Sequence, residues 1–150
     1  RIDHLLGNIE LLGIGLQNHI PIQIVDERNR IRMIGAGITL EKEKQFGKFV
    51  SLIPYTNVVK GLTLTGFKYP LDHYDFKGFC SLGVSNEIIA ESAQITFEDG
   101  ILIVIEARDW GKPDNNKTTG KMYIFFNIEY HFNIELDLWL GVWQTLIYVG

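Results

Sequence analysis

Cysteine is nearly absent. Cys80 stands alone among 150 residues, which excludes a disulfide framework and any multi-cysteine zinc site. A single thiol suits a reducing compartment. Basic excess is absent too: 14 Lys and Arg face 18 Asp and Glu, a formal net charge of −4. That removes the electrostatic footprint of a general nucleic-acid binder. No signal peptide is visible, since a helix-like pattern begins at Arg1. The most apolar stretch, Leu138–Val149, is too short to span a bilayer and follows a run of carboxylates. No internal repeat is present. The sequon Asn116-Lys117-Thr118 reads as chance, because nothing routes the chain to a secretory pathway.

What remains is ordinary globular material, 46% hydrophobic and 21% charged. Residues 3–17 read as a helix, with Leu5, Ile9, Leu12 and Leu16 on one face, Asp3 as a candidate N-cap, and Pro21 closing it off. Short extended runs follow at Ile22–Val25, Ile31–Ile34 and Ile38–Leu40, the first two separated by the polar turn Asp26-Glu27-Arg28-Asn29. Residues 41–48 read as a charged linker.

Beyond it the pattern is all-β. Phe49–Ile53, Val58–Leu64, Phe79–Leu82, Ala93–Phe97 and Ile101–Ile105 are strand candidates, and Asp99-Gly100 signals a hairpin between the last two. A polar loop over 110–122 leads to eleven residues of strict alternation, Ile128–Leu138, flanked by aromatics. The expected fold class is α+β: a trailing helix and strands of an α/β nucleotide domain over 1–46, an antiparallel β-sandwich over 47–109, and an extra tail over 110–150, β in character and without an assigned role.

Composition and periodicity stop there; the wording of particular segments goes further. Arg1-Ile2-Asp3-His4 with Leu5–Leu12, then Ser51-Leu52-Ile53-Pro54, Gly61–Leu71, Ser81–Glu87 and Gly100–Ile105 resemble, in order, the signature segments of thiamine pyrophosphokinases. The resemblance implies a cytoplasmic enzyme that transfers the terminal diphosphate of ATP to the hydroxyethyl oxygen of thiamine. It implies Mg2+ on the phosphates and a homodimer whose thiamine site forms where two subunits meet. No nucleic acid and no membrane are expected as partners. The family pattern normally reads Gly-Gly-Arg-x-Asp-His and is preceded by an acidic magnesium loop. This chain opens on Arg1, so it is expected to be an N-terminally truncated portion, inactive on its own.

The resemblance carries roles onto individual residues. Arg1 and Asp3 are the catalytic candidates: a planar guanidinium suits phosphate, and a carboxylate suits Mg2+, a hard cation. His4 and Asn8, one helical turn apart, are substrate-binding candidates. Ser85, Asn86 and Glu87 are the candidates for contacting thiamine, their short polar side chains suiting an aminopyrimidine. Each has a plainer alternative: capping for Asp3, an ordinary half-buried histidine for His4, a Ser or Asx turn for Ser85 and Asn86. Lys68-Tyr69-Pro70 reads mainly as a shaped loop, Asp72, His73 and Asp75 as a solvated loop cluster, and Cys80 as a small buried residue. A second function class stays open: a non-catalytic ligand-binding or dimerisation module, with the aromatic tail as a protein interface.

Overall fold

The computed structural model describes residues 2–109 and the backbone of residues 122–126 and 147–149. The helix forms over Ile2–Gln17, α1. Its expected face is the one that buries: Leu12 is sealed, with Leu5, Ile9 and Leu16 packed beside it. Asp3 lies inside the first turn and not at the cap, where a carboxylate still complements the positive end of the helix. The helix stops in a left-handed residue, His19 at φ 57°, and Ile20 N–H closes on Gly15 C=O at 2.8 Å. Gly15 is required for close approach, since a Cβ there would sit 2.6 Å from the Ile22 side chain.

Eleven strands follow among the described residues: β1 (Ile22–Val25), β2 (Asn29–Ile34), β3 (Ile38–Glu41), β4 (Phe49–Pro54), β5 (Val58–Thr65), β6 (Leu71–Lys77), β7 (Asn86–Glu87), β8 (Ser92–Thr96), β9 (Leu102–Ala107), β10 (Met122–Phe126) and β11 (Ile147–Val149). They form two antiparallel sheets, ordered β11-β10-β1-β2-β9-β4-β7 and β3-β8-β5-β6. The tail supplies β10 and β11; the alternating run 128–138 lies outside the described residues. The β1–β2 turn is set by Asp26, whose Oδ1 accepts the backbone N–H groups of Arg28 and Asn29 at 2.7 and 2.6 Å.

The molecule is three layers deep. One core lies between the sheets, built on Leu52, Leu62, Phe76, Ile95, Leu102 and Val104 among others. The second lies between the larger sheet and α1, on Ile24, Ile31, Met33 and Ile103. Strand β9 faces both, with Leu102 and Val104 on one side and Ile103 and Ile105 on the other. This is why its sequence is a continuous apolar run instead of an alternating one.

The structure revises several expectations. Residues on both sides of position 46/47 are strands of the same two sheets: β2 pairs with β9, and β3 with β8. The segment 41–48 is fastened down, with Phe46 N–H on Glu106 and Arg108 Nε on the Phe46 carbonyl. Asp99-Gly100 is not a hairpin. Strands β8 and β9 lie in different sheets, and Gly100 (φ +113°) turns the chain from one to the other. Phe79–Leu82 is an exposed turn and not a strand, while Asp72, His73 and Asp75, expected on a loop, lie on an edge strand over Leu71–Lys77. Cys80 is exposed, not buried. No helix among the described residues is long and apolar enough to cross a membrane.

Candidate functional site

Strand β7 is two residues long, and it places Asn86 and Glu87 at the edge of the larger sheet beside β4. The turn that precedes it is seated on β4 from both ends. Leu52 N–H bonds to the Gly83 carbonyl at 2.8 Å, and Ser85 N–H bonds to Ser51 Oγ at 2.9 Å. Gly83 is buried with no room for a side chain; a Cβ would lie 2.5 Å from the Leu52 carbonyl oxygen and 2.9 Å from the Phe76 ring. Ser85 itself is exposed and held at φ +59°, a left-handed conformation uncommon outside glycine. Its hydroxyl is presented to solvent from a fixed backbone.

Asn86 is spent differently. Its Oδ1 accepts the N–H groups of Tyr69 and Glu87 at 3.0 and 2.9 Å, and its Nδ2 donates to the Tyr69 carbonyl at 2.8 Å. It clamps the Lys68–Pro70 loop against β7, so its geometry is that of a positioning residue. Asn86→Ala is expected to destabilise the chain by about 1–2 kcal/mol, because two Tyr69 backbone groups lose their partner. Chemical denaturation checks this, and Asn86→Asp should not rescue it, since a carboxylate oxygen would face the Tyr69 carbonyl where the amide donated. An alanine variant as stable as the parent would remove the clamp.

Glu87 carries the charge of the site. Its carboxylate meets Lys68 Nζ at 3.2 Å and Lys48 Nζ at 3.5 Å. The hydrogen bond from Lys68, with the charge of Lys48 behind it, overcomes partial burial and holds the carboxyl below its ordinary range. The same contact raises Lys68, whose ammonium also lies 5.6 Å from the Tyr69 ring centroid. Around these polar groups stand exposed apolar side chains: Tyr69, Phe79, Leu82, Val84 and Ile89.

The helix candidates lie elsewhere. Asp3 and His4 are exposed on the first turn of α1, 4.0 Å apart at their nearest charged atoms, and Asn8 is buried on the same helix. Arg1 lies outside the described residues. Helix α1 packs on β1 and β2, whereas β7 lies beyond β9 and β4, three strand spacings or roughly 14 Å across the sheet. Among the described residues no three His, Cys, Asp or Glu side chains cluster as a metal site. The Asp72–His73 contact of 3.1 Å is an exposed pair on the β6 edge.

Two features of the site were not foreseen. Ser51 accepts the Ser85 amide, although nothing in its strand context marks it. A lateral row of paired residues also crosses the sheet from Arg30 through Glu106 and Val50 to Asn86. Within it Glu106, only 1% exposed, takes hydrogen bonds from Arg30 Nε (2.8 Å) and Nη2 (2.7 Å), Arg32 Nη2 (2.6 Å) and Phe46 N–H (3.0 Å). The one available signal was the period-two spacing of Arg30 and Arg32, which puts both on one face.

Comparison with known proteins places this geometry in context. Residues 37–102 match the sequence family described as thiamin pyrophosphokinase, vitamin B1 binding domain. The chain is 40% identical over 110 residues to the thiamine pyrophosphokinase of Bacillus subtilis, covering 73% of this chain and 51% of that protein. The crystal structure of the Bacillus subtilis thiamine pyrophosphokinase superposes with a TM-score of 0.69 at 39% identity, again over 73% of this chain and 51% of that one. The thiamin pyrophosphokinase of Geobacillus thermodenitrificans gives 0.65 at 37% identity, over 74% and 51%. The chain thus spans about half the length of the relatives it matches. These similarities do not favour a non-catalytic module of another kind. Over residues 37–102 the chain is thus similar to the vitamin B1 binding domain of thiamin pyrophosphokinases.

Proposed function

We propose that this chain supplies the thiamine-binding portion of a thiamine diphosphokinase, an enzyme that transfers diphosphate from ATP to thiamine. The observation that carries the reading is the match of residues 37–102 to a vitamin B1 binding domain. The edge around Ser85 supports it chemically. A hydroxyl on a fixed left-handed backbone and an ionised Glu87 carboxylate suit the amino group and ring nitrogens of an aminopyrimidine. Asn86 and Ser51 act by holding the loops that carry them.

Diphosphoryl transfer asks the protein mainly for positioning and charge neutralisation. In this reading Arg1 binds phosphate oxygens, and His4 and Asn8 contact substrate. Among the described residues Asp3 belongs to no cluster of three His, Cys, Asp or Glu side chains. It therefore fits Mg2+ only as one ligand of an ion held otherwise by phosphates and water, the usual habit of this cation. Mg2+ would supply charge neutralisation at the transferring group. Helix α1 packs on β1 and β2 while β7 lies at the far edge of the sheet, so this reading invokes a homodimer in which one copy's helix end faces the other's β7 edge. The exposed apolar rim of Tyr69, Leu82, Val84 and Ile89 is the surface that such a contact would cover.

Calorimetric titration of the dimeric protein with thiamine tests the reading. Ser85→Gly removes the hydroxyl while easing a backbone already at φ +59°. It is expected to weaken thiamine by about tenfold, the worth of one good hydrogen bond in a closed site. Absence of thiamine binding, or equal affinity in the variant, would sink it.

A further inference from the structure

A cavity of about 210 Å3 opens between β2 and β3 at the end of the sandwich, bounded by Arg30, Arg32, Thr39, Lys44, Glu41 and Glu106. Its volume corresponds to several water molecules at ~30 Å3 each. Three of these side chains are cations and two are carboxylates, so the cavity keeps one positive charge in excess. Lys44 is tied to Glu41 at 2.5 Å on its rim, and Glu106 is saturated by the two arginines and the Phe46 amide. Arg32 gives Nη2 to Glu106, but its Nε is buried and meets no acceptor among the described residues. A buried donor without a partner calls for an acceptor oxygen.

We propose that this cavity binds a phosphate-type oxyanion, with Arg32 as its principal ligand and Lys44 closing its open side. The chemistry narrows the class. An excess positive charge and an orphan N–H exclude a cation. The planar edge of a guanidinium matches a tetrahedral oxyanion through paired, charge-assisted hydrogen bonds. Glu106 fixes the arginines from below, so the cavity presents ordered donors instead of mobile ones. The site lies about three strand spacings from Asn86 along the same row and does not depend on the thiamine reading.

Titration of the full chain with inorganic phosphate, methyl phosphate and acetate at constant ionic strength tests this. Phosphate is expected to bind saturably, one per chain, with acetate at least about tenfold weaker because it satisfies fewer donors. Arg32→Gln is expected to weaken phosphate at least about tenfold, and Lys44→Gln, at an exposed rim position, severalfold. Lys77→Gln removes the same charge from β6, at the far edge of the smaller sheet, and should leave binding unchanged. Equal binding of the ester assigns the site to phosphorylated ligands, and binding of phosphate alone assigns it to the free ion; either upholds the proposal. No saturable binding, acetate as tight as phosphate, or both Arg32→Gln and Lys44→Gln binding like the parent would overturn it. Should Arg32→Gln fail to fold, Lys44→Gln measured against Lys77→Gln decides.

Discussion

Glu106→Ala is expected to lower the unfolding free energy by about 3 kcal/mol, near the bottom of the range for breaking a buried ion pair. The lower end applies because Arg30 and Arg32 keep 24% and 29% of their side-chain surface in water, while Glu106 keeps 1%. Losing the carboxylate leaves two guanidinium groups beside each other with no counter-charge, and the Phe46 amide without an acceptor. The damage spreads to the segment over 42–48, because Phe46 is held between the Arg108 guanidinium at 4.2 Å and that of Arg30 at 5.7 Å. Urea unfolding reads the global loss, and amide exchange at Phe46 reads the local one. The pH dependence has a definite sign. Burial raises the Glu106 carboxyl, but the Arg30 hydrogen bonds, the Phe46 N–H and the two guanidinium charges outweigh it and hold the group below its ordinary value. A depressed folded pKa means the stabilisation is complete above the ordinary glutamate value of 4.5 and is lost as pH falls from there through the lower folded value. The parent should therefore lose stability on that acid limb more steeply than Glu106→Gln. Parallel limbs, or an alanine variant within about 0.5 kcal/mol of the parent, would remove the ion cluster from the account of stability.

The elements that were legible in the sequence are those whose burial is one-sided and regular. Leu5, Ile9, Leu12 and Leu16 repeat at the helical period because α1 covers one face of a sheet, and Ile31 and Met33 alternate with Arg30 and Arg32 because β2 has two unlike faces. Strand β6 was hidden for the opposite reason. It is an edge strand paired through two register shifts, so Leu71–Lys77 shows one buried residue and a row of charges in place of an alternation. Phe79–Leu82 reads the other way, its Phe79 and Leu82 being apolar yet exposed. The joining of residues 22–41 to the later strands was out of reach, since most pairings join strands distant in sequence and local patterns carry no record of them. The site divides the same way. Ser85, Asn86 and Glu87 are singled out only by wording shared with a family. Ser51 and the division of labour between a presented Ser85 and a clamping Asn86 emerge only from hydrogen-bond geometry.

Phe76→Ala should produce the other large effect, a loss of about 3–5 kcal/mol, as for other buried aromatics truncated to a methyl group. Phe76 is fully buried and is the sole sealed residue of β6, with Leu71 half-buried at the far end of the strand. Its other anchors are weaker: a backbone pairing to β5 interrupted by bulges, exposed hydrogen bonds from Gly61 N–H to Asp75 and from His73 N–H to Thr63 Oγ1, and the half-buried Leu71. Removing the ring thus opens a cavity and releases an edge strand together. The ring is also the floor under Gly83, where its Cζ would come within 2.9 Å of a Cβ, and Gly83 seats the turn that presents Ser85. On the proposed reading of the Ser85 edge, the variant should therefore weaken thiamine as well, although Phe76 sits in the core and not at that edge. Tyr74 provides the contrast, lying on the same strand with its ring centroid 6.5 Å from that of Phe76 but 41% exposed. Tyr74→Ala should cost under about 1 kcal/mol and leave thiamine affinity in place, because little area is uncovered and no cavity forms. Paired unfolding and thiamine titrations of the two variants separate a core that supports the site from one that merely lies near it. Equal losses in both, or a destabilised Phe76→Ala with undiminished affinity, would show that the Gly83 turn stands without the ring beneath it.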